Sequence, residues 1–211
     1  TESWPDTLLA VSAQSYAEKY DSSGTVHSGP WRITLDLPSF MPFMQHHRDR
    51  STREYVYRAY ISRATTGKMD NSESIEKILR LRKEKAQLLG YEHFADYSID
   101  EKMAPNIHSI YSMFAELQTA AKKPMLQEFE ELQNWAKAHD QNEPLMHWDL
   151  PYWSERLRET KFDFTDNQLR PYFPLPKVLN GLFKLCKRLF RIEIQPAKID
   201  QAYCWHEDVQ F

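Results

Sequence analysis

Residues 169–190, LRPYFPLPKVLNGLFKLCKRLF, constrain the fold most, because two incompatible backbone preferences meet there. Pro171, Pro174 and Pro176 hold the first half extended. Proline lacks an N–H, and its ring clashes with the preceding turn of a helix interior. In the second half Leu175, Val178, Leu179, Leu182, Phe183, Leu185, Cys186, Leu189 and Phe190 recur at helical spacing. Lys184, Lys187, Arg188 and Arg191 gather toward its end, where positive charge suits the helix dipole. The pattern predicts a helix with a broad buried face. If that helix is core, Leu182→Ala or Phe183→Ala should cost about 2–5 kcal/mol.

The rest of the chain repeats the helical theme. Five glycines in 211 residues, with long periodic runs, favour helices over sheets. An aromatic content of 13% argues for packed structure rather than disorder. The periodicity predicts helices over 6–20, 43–64, 72–90, 93–103, from about 107 to 139, and 148–161. Gly90 is the expected C-cap of the third. Pro124 should break or kink the fifth near residues 122–123. Residues 31–37, WRITLDL, alternate apolar and polar and predict a short strand or extended segment near the N-terminus. Residues 191–194 and 201–211 look β-like, with a turn over 196–200, so a small C-terminal β hairpin is expected. The fold class is therefore mainly α, a helical bundle-like lobe. Residues 1–211 are taken as one α-rich domain, with a weak hinge candidate at 140–144.

Several function classes lose support at once. A net charge of −3 gives no reason to expect a nucleic-acid partner. No apolar run approaches the ~18 residues of a membrane span. Two cysteines, Cys186 and Cys204, do not make a secreted disulfide framework, although one bridge between them stays open. No secretory leader is visible, and the first residue is not Met. The Arg-rich faces of 43–64 are expected to be solvated or ion-paired surface.

The eight histidines invite a search for metal ligands. His27, His93, His108, His139 and His147 are isolated, and His46 and His47 are adjacent, so their rings point to different faces of a helix. There is no Cys-x-x-Cys, no Gly-rich phosphate loop and no Gly-x-Ser-x-Gly elbow. Residues 206–210 read HEDVQ. A His-Glu-x-x-His helix needs a second imidazole one turn on, and Gln210 stands there instead. No catalytic, cofactor-binding or metal-ligating residue is assigned, and no metal loss is expected from His206→Ala.

Five stretches resemble, in order, the thimet oligopeptidase / oligopeptidase A family of zinc metallopeptidases. They are WRITLDLPSFMPFM (31–44), REYVYRAYISRAT (53–65), ILRLRKEKAQLLGYEHFADYSIDEKMA (78–104), WDLPYWSERLRETKF (148–162) with LRPYFPLPKVLNGLFKLCKRLF (169–190), and WHEDVQF (205–211). The resemblance implies an α-rich, two-lobed peptidase with a deep channel that admits short peptides and excludes folded proteins. It further implies a zinc ion held by a His-Glu-x-x-His helix and a downstream Glu. HEDVQ aligns with the family's WH-x-DV segment, which precedes those elements.

The expected function follows from that mismatch. The chain is read as an oligopeptidase-family protein without the zinc-binding half, inactive alone and acting through peptide or protein binding. A second reading is a fragment or subunit that cleaves short peptides once joined to its catalytic half. A third is an interaction module with no peptide role. Zinc is expected only with the missing half. Short peptides, a second copy of the chain and a full-length oligopeptidase are the partners considered. The compartment read from the family is cytoplasmic, with mitochondrion or chloroplast as the alternative.

Overall fold

A computed structural model describes residues 3–20, 25–163, 166–195, 206 and 209. The chain divides into two compact units, residues 1–162 and 163–211. No strand pairing beyond a single bridge, Thr25 to Gly29, occurs among the described residues.

In the first unit, α1 (Asp6–Tyr20) opens with an acid in its first turn and buries Leu8, Leu9, Ser12 and Ala13. The Pro5 carbonyl takes the Leu8 and Leu9 N–H groups, which would otherwise be unpaired. Residues 31–34 run without regular structure, and the Arg32 N–H reaches the Ser12 carbonyl at 2.9 Å. The period-two alternation still sorts the side chains. Ile33 and Leu35 pack on the core although no partner strand lies alongside.

The helix expected over 43–64 is two helices. α2 (Leu37–His46) begins six residues earlier than predicted, with Pro38 in its first turn, where a missing N–H costs nothing. It also accommodates Pro42. At its end His47 turns extended, with ψ 124°. α3 (Arg50–Ile61) then restarts behind Asp49, whose carboxylate accepts the Thr52 N–H at 2.7 Å. An N-cap of this strength makes the break, because it offers the backbone a local alternative to helix.

α4 (Ser72–Leu88) ends where predicted. Gly90 takes φ +85°, and the Tyr91 N–H bonds back to Ala86 at 2.9 Å. α5 (Phe94–Ile99) is shorter than expected. α6 (Ile107–Lys137) starts at Asn106, whose side chain caps Ser109. It continues unbroken through Pro124. The carbonyl that loses its partner belongs to Ala120, which is exposed, so water can serve it. α6 stops as Asp140 turns left-handed, φ +70°. α7 (Leu150–Phe162) follows.

Two clusters form the core. Leu8, Phe40, Phe43, Met44 and Trp148 draw α1, α2 and the start of α7 together. Leu132, Ala136, Leu145 and Trp153 join the end of α6 to α7. Away from them, helices expected to be half-buried are open. On α4 only Ala86 is buried, and Ile75, Ile78, Leu79 and Leu81 are exposed. On α6 the apolar stripe is covered only at Leu132 and Ala136.

The second unit contains α8 (Asp166–Leu169), a 3₁₀ turn at Arg170–Tyr172 and α9 (Leu175–Phe190). The helix forms where expected, yet none of its residues is buried. Leu182 is 49% exposed and Phe183 36% exposed, so the prediction of a core helix is wrong for this chain. Periodicity reports that a helix has an apolar face; it does not supply the surface that covers it. Residues 191–194, expected as the first arm of a β hairpin, carry no strand. Of 201–211 only His206 and Val209 are described, so the second arm lies outside the described residues.

Candidate functional site

The densest polar constellation joins α3 to the N-terminus of α7. Asp149 caps α7 by accepting the Trp153 N–H through its carbonyl at 3.0 Å. Its side chain is fully buried. Oδ1 accepts from Arg53 Nη2 at 2.9 Å and Arg50 Nε at 3.1 Å. Oδ2 accepts from Arg50 Nη2 at 2.9 Å and the Met146 N–H at 3.0 Å. Arg53 is 1% exposed. Its Nε donates to the Trp148 carbonyl at 3.2 Å, and Nη1 donates to the carbonyls of His47 and Arg48, both at 2.9 Å. Its guanidinium lies 4.4 Å from the Tyr152 ring centroid. Arg50 continues outward to Glu143 and stands 5.9 Å over Trp148.

Burial works against the charge of Arg53 and lowers its pKa, while the Asp149 carboxylate opposes that shift. The Asp149 hydrogen bond raises the pKa of Arg50. Five donor contacts to one carboxylate leave no oxygen for a substrate or metal. The arrangement is a clamp that ties α3 to the start of α7.

The Arg-rich face was expected at the surface, and Arg53 corrects that. A signal was present in the sequence. Arg53 stands in register with Val56, Tyr57 and Tyr60, all partly buried against the first core cluster, so it lies on the apolar side of α3. An arginine on such a stripe needs a buried acid. Which acid could not be read, because Asp149 lies 96 residues away.

Four of the histidines bond or stack within the fold. His46 Nδ1 accepts from Arg156 Nη2 at 3.0 Å, and His47 Nδ1 accepts from the Trp4 indole at 3.1 Å. His139 stacks on Trp135 at 4.0 Å, and His147 faces Tyr57 at 6.0 Å. Arginine and indole groups only donate, so His46 and His47 present to them the very lone pairs a metal would need. Among the described residues no three His, Cys, Asp or Glu side chains converge as metal ligands. Among the described residues, the ring nitrogens of His46 and His47 that face these donors are thus taken up within the fold. Cys186 is a free thiol on α9, and Cys204 lies outside the described residues. Open grooves on α4 (Glu84, Gln87, Leu88) and α6 (around Leu126) are each lined by one helix and enclose nothing. No described helix is long and apolar enough to cross a membrane.

A sequence model of Peptidase family M3 matches residues 43–211. The chain belongs to peptidase family M3. This M3 chain is 45% identical, along its whole length, to an organellar oligopeptidase A (chloroplastic/mitochondrial) of Arabidopsis thaliana. It is equally 45% identical to a probable cytosolic oligopeptidase A of the same plant. The oligopeptidase A of Escherichia coli strain K12 is 38% identical over 98% of the chain. The chain spans 26% of the first relative's length and 30% of the other two. The resemblance drawn from the five stretches thus extends from end to end, and the chain is an oligopeptidase A-like segment rather than a match to a whole relative.

Proposed function

We propose that this chain is scaffold of a family M3 oligopeptidase, hydrolyses no peptide by itself, and acts by binding protein or peptide. The observation that carries this reading is the exposed apolar face of α9 in a chain whose M3 relatives are more than three times as long. A face of that kind usually marks an interface. The lack of a His-Glu-x-x-His sequence within the 211 residues supports the inactivity. Hydrolysis of a peptide bond by such a family needs a metal to polarise the carbonyl and activate water.

A second reading is favoured by the end-to-end identity of 45%: the chain is a fragment or subunit of a zinc metallo-oligopeptidase that cleaves short peptides once joined to a zinc-bearing half. One experiment separates the two. The purified 211-residue chain is assayed for zinc and for cleavage of a quenched short peptide, first alone and then mixed with a polypeptide carrying the zinc motif. No zinc and no turnover in either arm supports the scaffold. Turnover only in the mixture establishes the subunit. Chelator-sensitive turnover by the chain alone overturns both. The names of the relatives favour the cytosol or an organelle as the compartment.

A further inference from the structure

Residues 3–5 enter α1 across the C-terminal end of α2. Ser3 Oγ donates to the His46 carbonyl at 2.6 Å, and Trp4 Nε1 donates to His47 Nδ1 at 3.1 Å. The Trp4 ring stands edge-on to Phe43 at 5.6 Å and to Trp31 at 6.2 Å. His47 in turn stacks on Phe43, centroid to centroid 4.5 Å, interplanar angle 18°. Two hydrogen bonds and one aromatic contact set thus hold the segment. Pro5, next in line, accepts the N–H groups of Leu8 and Leu9, and Leu8 is among the most deeply buried core residues.

We propose that residues 3–5 form an acid-released strap, latched to the fold by the Trp4–His47 hydrogen bond. The chemistry of the two rings dictates the behaviour. An indole N–H can only donate, so Nδ1 of His47 must carry a lone pair and Nε2 the proton. The next proton the imidazole takes up can only go to Nδ1. Protonation then sets an N–H against an N–H, and the bond is lost. No other acceptor on His47 can replace it.

The charges around the ring act in opposite directions. Burial lowers its pKa, and so does Arg53; Asp49 raises it. On α7, Glu155 and Arg156 face the neighbouring His46 rather than His47. Asp149 is taken up by Arg50 and Arg53. α1 contributes Asp6 in its first turn. The net effect keeps the latch closed at neutral pH. Because the folded pKa lies below the ordinary histidine value of about 6.5, the latch weakens as pH falls beneath that value.

The test follows the Trp4 indole N–H resonance in isotope-labelled protein, from about pH 8 to about pH 5. Trp4→Phe identifies the signal by its loss and keeps an aromatic ring in place. In the wild-type chain the indole proton and the His47 ring should titrate with one shared midpoint below about 6.5. Indole hydrogen exchange should accelerate at least ~10-fold across it, with far-UV ellipticity unchanged. His47→Asn offers an amide oxygen that accepts but does not titrate, so it should abolish the transition. His46→Asn should leave it intact. An indole signal that stays constant while His47 titrates overturns the proposal. So does a transition that survives His47→Asn or moves with His46.

Discussion

Asp149 has no oxygen open to solvent, Arg53 is as deeply enclosed, and Arg50 is half-buried. Removing one partner of such a group costs more than the group contributes, because a buried charge is left behind. Asp149→Ala should destabilise the first unit by about 3–5 kcal/mol, read from denaturant midpoints. Replacing Arg53 by Met and Asp149 by Leu together should cost clearly less. Asp49 gives a second, pH-dependent case. Its bonds from the Thr52 and Ser51 side chains, then from the Thr52 N–H, lower its pKa from 3.8 to about 2. The folded pKa is depressed, so the stabilisation is present above 3.8 and fades as pH falls toward about 2. Asp49→Ala should cost about 1 kcal/mol at neutral pH, and its unfolding curve should converge on the wild type's in that acid window. Both residues were legible in kind only. Asp49 could be seen as a cap once α3 was known to start behind it. Arg53 could be seen as an arginine on an apolar stripe. Its partner was invisible, because a contact across 96 residues leaves no local trace.

At the scale of elements, the helices stand close to where period and punctuation place them, and each departure has its own local cause. The sequence pattern over 43–64 is helical throughout, and only the competition between Asp49 and the backbone divides it. At Pro124 the misjudgement runs the other way. One missing N–H was expected to interrupt α6, yet an exposed helix can hand the orphaned carbonyl to water. The proline should still weaken the helix. Pro124→Ala should stabilise α6 by about 1–3 kcal/mol, seen as slower amide exchange around residues 121–128. The WRITLDL alternation gave the correct facing of Ile33 and Leu35 but no strand, since a strand needs a neighbour that the sequence does not name.

At the scale of the molecule, the proposed interface on the apolar face of α9 predicts how the chain should behave in solution. Leu182→Ala should change the stability of the isolated chain by no more than about 0.5 kcal/mol, as for other open positions. If a partner covers the helix as proposed, the same substitution should cost about 2–5 kcal/mol. Denaturation with and without a zinc-bearing half measures both values. Light scattering should show concentration-dependent association of the chain alone. The sequence states the character of that face and leaves its cover unstated. The family and the helical class were legible because both rest on local words and periods; burial was not, because it belongs to pairs of distant surfaces. The clamp has one more consequence, which concerns birth rather than stability. Arg53 leaves the ribosome 96 residues ahead of Asp149. At ordinary synthesis rates of roughly 5–20 residues per second, its guanidinium waits about 5–20 s for a counter-charge. During that interval α3 lacks the carboxylate that ties it to the start of α7.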